Sequence, residues 1–256
     1  MTSTIQQQPA VAASSLFRLV LTGLATIALL ANGATFAAAT PEQTCQAGRY
    51  NAAARYSACQ QKALSKYFGT GDFAKYQFAA GKCRTKYAAV WPKLRAKTSG
   101  STCDVARFVS NGATVTDNLT GLQWETKQNL DTVQNPGDAH DADNVYTWSV
   151  LPPAATGSVF TTFLPALNSG GCFAGQCDWR LPTTNELQTI LLTPHPCGTS
   201  PCIDPVFGPT AAKGHWSATS HAEFPDLVWD PFFGDGTIYF SDKTFSSAAR
   251  AVRAGL

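Results

Sequence analysis

The stretch CDWRLPTTNELQTIL, residues 177–191, sets a Trp-Arg pair against Leu-Pro and then begins a helix with no linker between them. Pro182 ends the short segment Trp179-Arg180-Leu181, because proline lacks an N–H and biases the residue before it toward extended backbone. Thr183 can then cap the helix that follows, with Glu186 reaching back in a capping box. Leu187, Ile190 and Leu191 fall at helical spacing and give that helix an apolar face. Pro194 is expected to stop it. Trp179 reads as a core anchor and Arg180 as a structural ion-pair or carbonyl-bonding residue. The stretch is therefore architecture, and function has to be sought elsewhere.

Short apolar pieces separated by turn residues lie on either side. RFVSNGATVTDNLTGLQWE, residues 107–125, carries Asn111-Gly112 between such pieces, then Asp117-Asn118 and Gly121. Asn-Gly tolerates the positive φ of tight hairpin turns, so this block reads as paired strands. Near the end, Asp235-Gly236 turns the chain between a strand near Val228-Trp229 and another at 237–240. A last strand is expected over about 247–253.

Residues 40–100 differ in texture. Ala52, Tyr56, Cys59 and Ala63, and then Phe73, Tyr76, Ala80, Cys83, Tyr87, Val90 and Leu94, recur at steps of three and four. Each series is one face of a helix. Gly69-Thr70-Gly71 separates them, and Pro92 lies near where the second should end. The prediction is an antiparallel helical hairpin whose Tyr and Phe residues are core. Residues 101–256 form the second, mixed module, so the fold class expected is α+β.

All 8 cysteines follow residue 40. Antiparallel packing would pair Cys59 with Cys83, leaving Cys45 for Cys103 at the open end. Cys172/Cys177 and Cys197/Cys202 would be local staples. The same two C-x4-C pairs loosely resemble a zinc ribbon, the rival reading. Zinc sites usually show tighter spacing, and an even cysteine count in an exported chain favours disulfides. Export is read from residues 1–39, where Arg18, an apolar run from Leu19 to Ala31, and Ala37-Ala38-Ala39 form a signal peptide with cleavage before Thr40. The apolar run is too short for a comfortable span, so no transmembrane segment is expected in the mature chain, an uncleaved anchor being the alternative.

The net charge of +2 conceals a dipole. Residues 41–100 hold eleven basic and two acidic side chains, and residues 101–256 hold seven and fifteen, balances of +9 and −8. The basic face, with Arg49, Arg55, Lys62, Lys66, Lys75, Lys82, Arg84 and Lys86, can meet an anionic polymer or surface. Docking against the acidic module is the competing use. No specific nucleic-acid partner is expected.

The blocks FVSNGATVTDNLTGLQWE, DADNVYTW, DWRLPTTNELQTIL, IDPVFGP, HWSAT and RAVRAG occur in an order that resembles the Lcl C-terminal domain family, over about residues 104–256. In these blocks Trp124, Trp179, Arg180, Pro182, Thr183, Glu186, Arg250 and Arg253 are read as structural. The resemblance implies a C-type-lectin-like fold on exported bacterial proteins mostly without assigned function, and binding of sulfated acidic glycans by the adhesin that names the family. The −8 balance departs from that picture, since like charge disfavours such contact. The basic hairpin, outside the resemblance, is the better surface for an acidic glycan.

Few chemical motifs stand out. Asp131, Asp138, Asp141 and Asp143 crowd one loop. Oxygen ligands at that density suit calcium, the one cofactor considered, with Asp138, Asp141 and Asp143 as ligands. Trp216, Trp229, Asp230, Phe232 and Phe233 are candidate ligand contacts, and Phe232-Phe233 before the Gly-Asp-Gly turn is the pair expected to be partly exposed. His140, His195, His215 and His221 share no metal-ligand spacing, and a nucleophile elbow, a P-loop and a dinucleotide fingerprint are absent. No catalytic residue is assigned.

The leading expectation is a non-enzymatic exported envelope or surface protein that binds a glycan or other anionic ligand, in the periplasm or at the cell surface. Its lectin-like loops at about 131–147 and 208–236 would face a ligand. The alternatives are an assembly subunit with a protein partner and an envelope-polymer hydrolase using a pair such as Glu223 and Asp226.

Overall fold

A computed structural model describes residues 38–255. The signal-peptide reading lies outside them, apart from its last two residues. Residue 40 opens the first helix, α1 (Pro41–Thr70), with a capping box: the Thr40 side chain accepts from Gln43 N, and the Gln43 side chain accepts from Thr40 N. Gly71, at φ 67°, ends it in the left-handed conformation that glycine adopts freely. Asp72 caps α2 (Phe73–Ala88), and α3 (Val90–Lys97) follows after a break at Ala89. The expected second helix is thus two pieces. Pro92 cannot donate to the carbonyl four residues back and its ring crowds it, so the helix yields there and Pro92 sits in the first turn of α3.

The mixed part has four antiparallel strands in the order β1-β2-β3-β8: β1 (Phe108–Ser110), β2 (Thr114–Asp117), β3 (Leu122–Glu125) and β8 (Val252–Ala254). Gly112 and Gly121, both at positive φ, make the turns. Two further antiparallel pairs join β4 (Tyr146–Thr147) to β7 (Ser246–Ser247) and β5 (Leu227–Pro231) to β6 (Ile238–Asp242). The short helices are α4 (Leu164–Asn168) and α5 (Thr184–Ile190). The architecture is α+β with a helical layer at its start. The expected last strand is instead β7 and β8, because the stretch between them turns its groups inward. Ala251 N donates to the Glu125 carboxylate and Arg250 is fully buried.

Around residues 177–191 the geometry follows the local chemistry. Arg180 bridges to Val252 and grips Glu186 with both terminal nitrogens, at 2.9 and 2.7 Å, while Trp179 is buried. Thr183 and Glu186 form the capping box. The helix ends at Ile190, before Pro194, because Leu191 leaves it to bridge with Ile203.

Within the described residues, 39–255 are one compact unit. One core cluster joins Ala63, Tyr76 and Ala80 of the helices to Trp124, Leu187, Trp229 and Phe233. Polar clamps reinforce the seam. Arg84 Nη1 donates to the Gly236 carbonyl at 2.7 Å, Gln60 Nε2 donates to Gln188 Oε1 at 3.0 Å, and the Gln77 amide pairs with both backbone groups of Ile238. All four disulfides take the pairing expected: Cys45–Cys103, Cys59–Cys83, Cys172–Cys177 and Cys197–Cys202. No cysteine is free for a zinc ribbon.

A buried ionic network holds the mixed part together. The Glu125 carboxylate lies 2.9 Å from Lys127 Nζ and 2.9 Å from His140 Nδ1, and it accepts from Ala251 N. Burial works to raise its pKa, but Lys127 and His140 outweigh it and hold the carboxyl below its usual range. Arg250 donates to the carbonyls of Glu125 and Phe207 and to Thr210 Oγ1, at 2.6, 3.0 and 2.7 Å. Burial lowers its pKa to about 10, which leaves it charged at neutral pH.

Candidate functional site

The helical layer carries a basic groove. Two close contacts tie α1 to the α2–α3 arm. The Cys59–Cys83 disulfide is one, and the other is the packing of Leu94 against Gly48, where a Cβ would collide with the leucine. The arm breaks at Ala89 between these ties, and a groove of about 600 Å³ runs along α1 and the arm there. Its floor includes Tyr56 and Tyr87, whose rings stack at 4.6 Å, with Val90 and Leu94 beside them. Arg55, Lys86, Lys93 and Lys97 stand around it, and no carboxylate lines it. A second, shallower hollow shares Thr85 and Lys86 with it and continues past Lys82 to Phe78 and His195.

Lys82 and Lys86 lie four apart on α2, and Lys93 and Lys97 four apart on α3, so each pair shares a helix face, and Lys86, Lys93 and Lys97 meet at the groove. Lys82 Nζ sits 4.2 Å over the Phe78 ring. Arg55, Lys86, Lys93 and Lys97 make no hydrogen bond or ion pair with another described residue, and all four are exposed. Cations in this state can meet an anion without breaking an existing contact.

The other basic residues singled out divide. Lys62 and Lys66 are exposed on α1 but do not line the groove. Arg49 is half-buried against Gln46, and Lys75 pairs with Asp72 at 2.8 Å. Arg84 was expected on the basic surface and is instead buried, because the seam needs a donor for the Gly236 carbonyl.

Most of the candidate ligand contacts of the mixed part lie inside it. Trp216, Trp229, Phe233 and Asp230 are buried. Trp216 Nε1 donates to the Tyr146 carbonyl, and Phe233 stacks on His215 at 3.9 Å. Trp229 packs against Tyr67 and Tyr76 of the helical layer, which covers it. Asp230 accepts from Ser241 and Ser247, and burial raises its pKa to about 6. Of the Phe232-Phe233 pair, Phe232 is the half-exposed member.

The acidic loop uses its carboxylates on its own backbone. Asp143 accepts from the N–H groups of Asp131 and Thr132, Asp141 from that of Asp143, and Asp138 from that of His140. The three candidate calcium ligands therefore do not converge, and among the described residues no group of three His, Cys, Asp or Glu side chains is placed to share a metal ion. Glu223 and Asp226 lie exposed in the loop before β5.

Two features were not singled out from the sequence. Lys93 and Lys97 complete the groove, and their four-residue spacing, like that of Lys82 and Lys86, was the pattern that marks them. An edge of exposed aromatics, Phe68, Phe224, Tyr239 and Phe240, meets around His221 and Phe73. It joins the α1–α2 turn to the β5–β6 pair, and no local pattern announces it.

The mixed part is thus an α+β domain held by a buried ionic network and staple disulfides, with charged, uncommitted side chains left mainly on its helical layer. The chain belongs to the Lcl C-terminal domain family, whose model matches residues 113–253. No curated protein and no solved structure matches the chain. The family match begins at the β1–β2 turn, so the helical layer and its groove lie outside it. Among the described residues no helix is long and apolar enough to cross a membrane.

Proposed function

We propose that this is an exported, non-enzymatic binding protein of a bacterial envelope or surface, and that its helical layer holds an anionic ligand, such as an acidic glycan. The observation that carries the reading is the groove between α1 and the α2–α3 arm, with four uncommitted cations and no carboxylate. Cations so arranged attract anions at long range and bind them in a salt-dependent way. Four disulfides support an oxidising destination outside the cytoplasm. In this reading the family domain has the C-type-lectin-like fold that the resemblance implies and serves as the rigid base against which the helices are clamped.

The test is binding of the disulfide-bonded protein to sulfated, uronate-containing and neutral polysaccharides, at low and high salt, with and without calcium. Binding confined to the acidic polymers, weakened by salt and by the double substitution Lys93→Gln with Lys97→Gln, supports the reading. Equal binding to neutral polymers would overturn it. Calcium-dependent binding that survives the double substitution would instead locate recognition in the loops of the family domain. A second reading, an assembly subunit with a protein partner, is favoured by the exposed aromatic edge at Phe224, Tyr239 and Phe240. A single partner captured by the protein and lost on Phe224→Ser with Phe240→Ser would support that one.

A further inference from the structure

The groove is more than a cluster of lysines. A site for a fully polar polyanion needs charge and hydrogen-bond donors along an open surface, whereas this groove has a recess between two helices with an apolar floor. Tyr56 and Tyr87 are buried and stacked on each other, Leu94 is buried against Gly48, and the Cys59–Cys83 disulfide closes one end. The cations stand at the rim. A volume of about 600 Å³ lies within the range of sites that enclose small organic ligands. Polar and apolar parts are thus segregated: an apolar recess below, positive charge above, no acid between.

Resting on the anionic-ligand reading above, we infer that the groove takes a single-chain anionic amphiphile. Its acyl chain lies along Tyr87, Val90 and Leu94, and its phosphate or carboxylate headgroup meets Arg55, Lys86, Lys93 and Lys97. Each part supplies what the other lacks. Burying a chain gives affinity without direction, and the rim gives direction and selects charge. A zwitterionic headgroup places its own cation among these four and loses the preference. A headgroup without a chain leaves the recess unfilled.

The experiment is a direct binding measurement with the full disulfide-bonded protein and lysophosphatidylglycerol below its micelle concentration. Lysophosphatidylcholine, glycerol phosphate and polyphosphate are run beside it. The expected result is saturable binding of lysophosphatidylglycerol, at least about tenfold tighter than lysophosphatidylcholine or glycerol phosphate, a difference of about 1.4 kcal/mol. Shortening its chain should weaken binding by about two- to fourfold per methylene. Ala89→Trp places a large side chain at the exposed bend lining the groove and should abolish amphiphile binding while sparing polyphosphate. Lys93→Gln with Lys97→Gln should weaken both ligands, whereas Lys62→Gln with Lys66→Gln should leave the amphiphile unaffected.

Equal affinity for the two lysolipids overturns the role of the rim. Polyphosphate binding without amphiphile binding overturns this inference and leaves the anionic-ligand reading standing. Binding of anionic vesicles that Ala89→Trp does not touch assigns the lysines to a flat surface contact and also overturns it. Failure to bind any of these ligands while acidic polysaccharide still binds overturns this inference alone, and failure of the polysaccharides as well removes both readings together.

Discussion

The helical layer and the mixed domain carry similar kinds of charged side chain and use them in opposite ways. In residues 101–256, six of the seven cations are committed: Arg107 to Asp117 and the Thr189 carbonyl, Lys127 to Glu125, Arg180 to Glu186, Lys243 to the Pro153 and Pro225 carbonyls, Arg250 to two carbonyls, and Arg253 to Asp178. In the helical layer seven of eleven make no such bond with a described residue: Arg55, Lys62, Lys66, Lys82, Lys86, Lys93 and Lys97. Two kinds of partner account for this. A helix satisfies its own carbonyls and this layer holds two acids, so its cations are left free, whereas the mixed domain offers carbonyls of irregular chain to Arg107, Lys243 and Arg250 and carboxylates to Arg107, Lys127, Arg180 and Arg253. Net charge counts both populations alike, and binding draws on one.

This contrast can be broken first at its strongest point. Arg250→Met should cost about 3–5 kcal/mol in a denaturant titration, since it strips the donor from three buried acceptors. An unfolding midpoint that stays in place would mean the network does not hold the domain. Next comes the tie between the two regions. Replacing Cys45 and Cys103 together by Ser opens a loop with a sequence separation of 58 and should lower stability by about 2–4 kcal/mol.

A finer test lies in pH. Burial pushes His215 down to about 3 from 6.5, so acidification through that window favours the unfolded chain, which takes the proton first. Asp230 does the reverse, because its folded carboxyl takes a proton near pH 6 and the unfolded one near 3.8, so acidification there favours the fold. From pH 6 to 3.8 the two effects oppose each other. Asp230→Asn removes the compensation, and stability should then fall more steeply on acidification, by about 1.4 kcal/mol per pH unit. Unfolding curves for both proteins across that range decide it; parallel slopes would refute the assignment.

Thr183→Ala removes a helix cap and should cost about 1 kcal/mol, a local loss in the same titration. The smallest stability effect belongs to Lys93→Gln with Lys97→Gln. Their side chains hold nothing, so the unfolding midpoint should not move even as anion binding declines. A clear loss of stability there would show that these lysines are structural after all and would dissolve the contrast.

Residues near one another in the chain determined a good deal of this protein. Thr183 and Glu186 announced their capping box, Gly71 the break between the first two helices, and Asn111-Gly112 its hairpin turn. The periodic placement of Cys59 and Cys83 on two apolar stripes foretold their disulfide. These are decided by hydrogen bonds and packing within one or two elements, which sequence spacing describes. The ordered blocks from Phe108 to Gly255 marked the family before the fold was seen.

Tertiary structure decided which side chains are available. Trp229 and Arg84 resemble surface candidates until the helices close over one and the Gly236 carbonyl claims the other. Asp138, Asp141 and Asp143 are neighbours in the chain, and only the fold decides that each turns one carboxylate oxygen to a backbone N–H of its own loop. The groove exists because two distant contacts, Cys59–Cys83 and Gly48–Leu94, hold the helices together on either side of a bend. Burial and partner choice depend on what arrives from elsewhere in the chain, and local spacing carries no record of it.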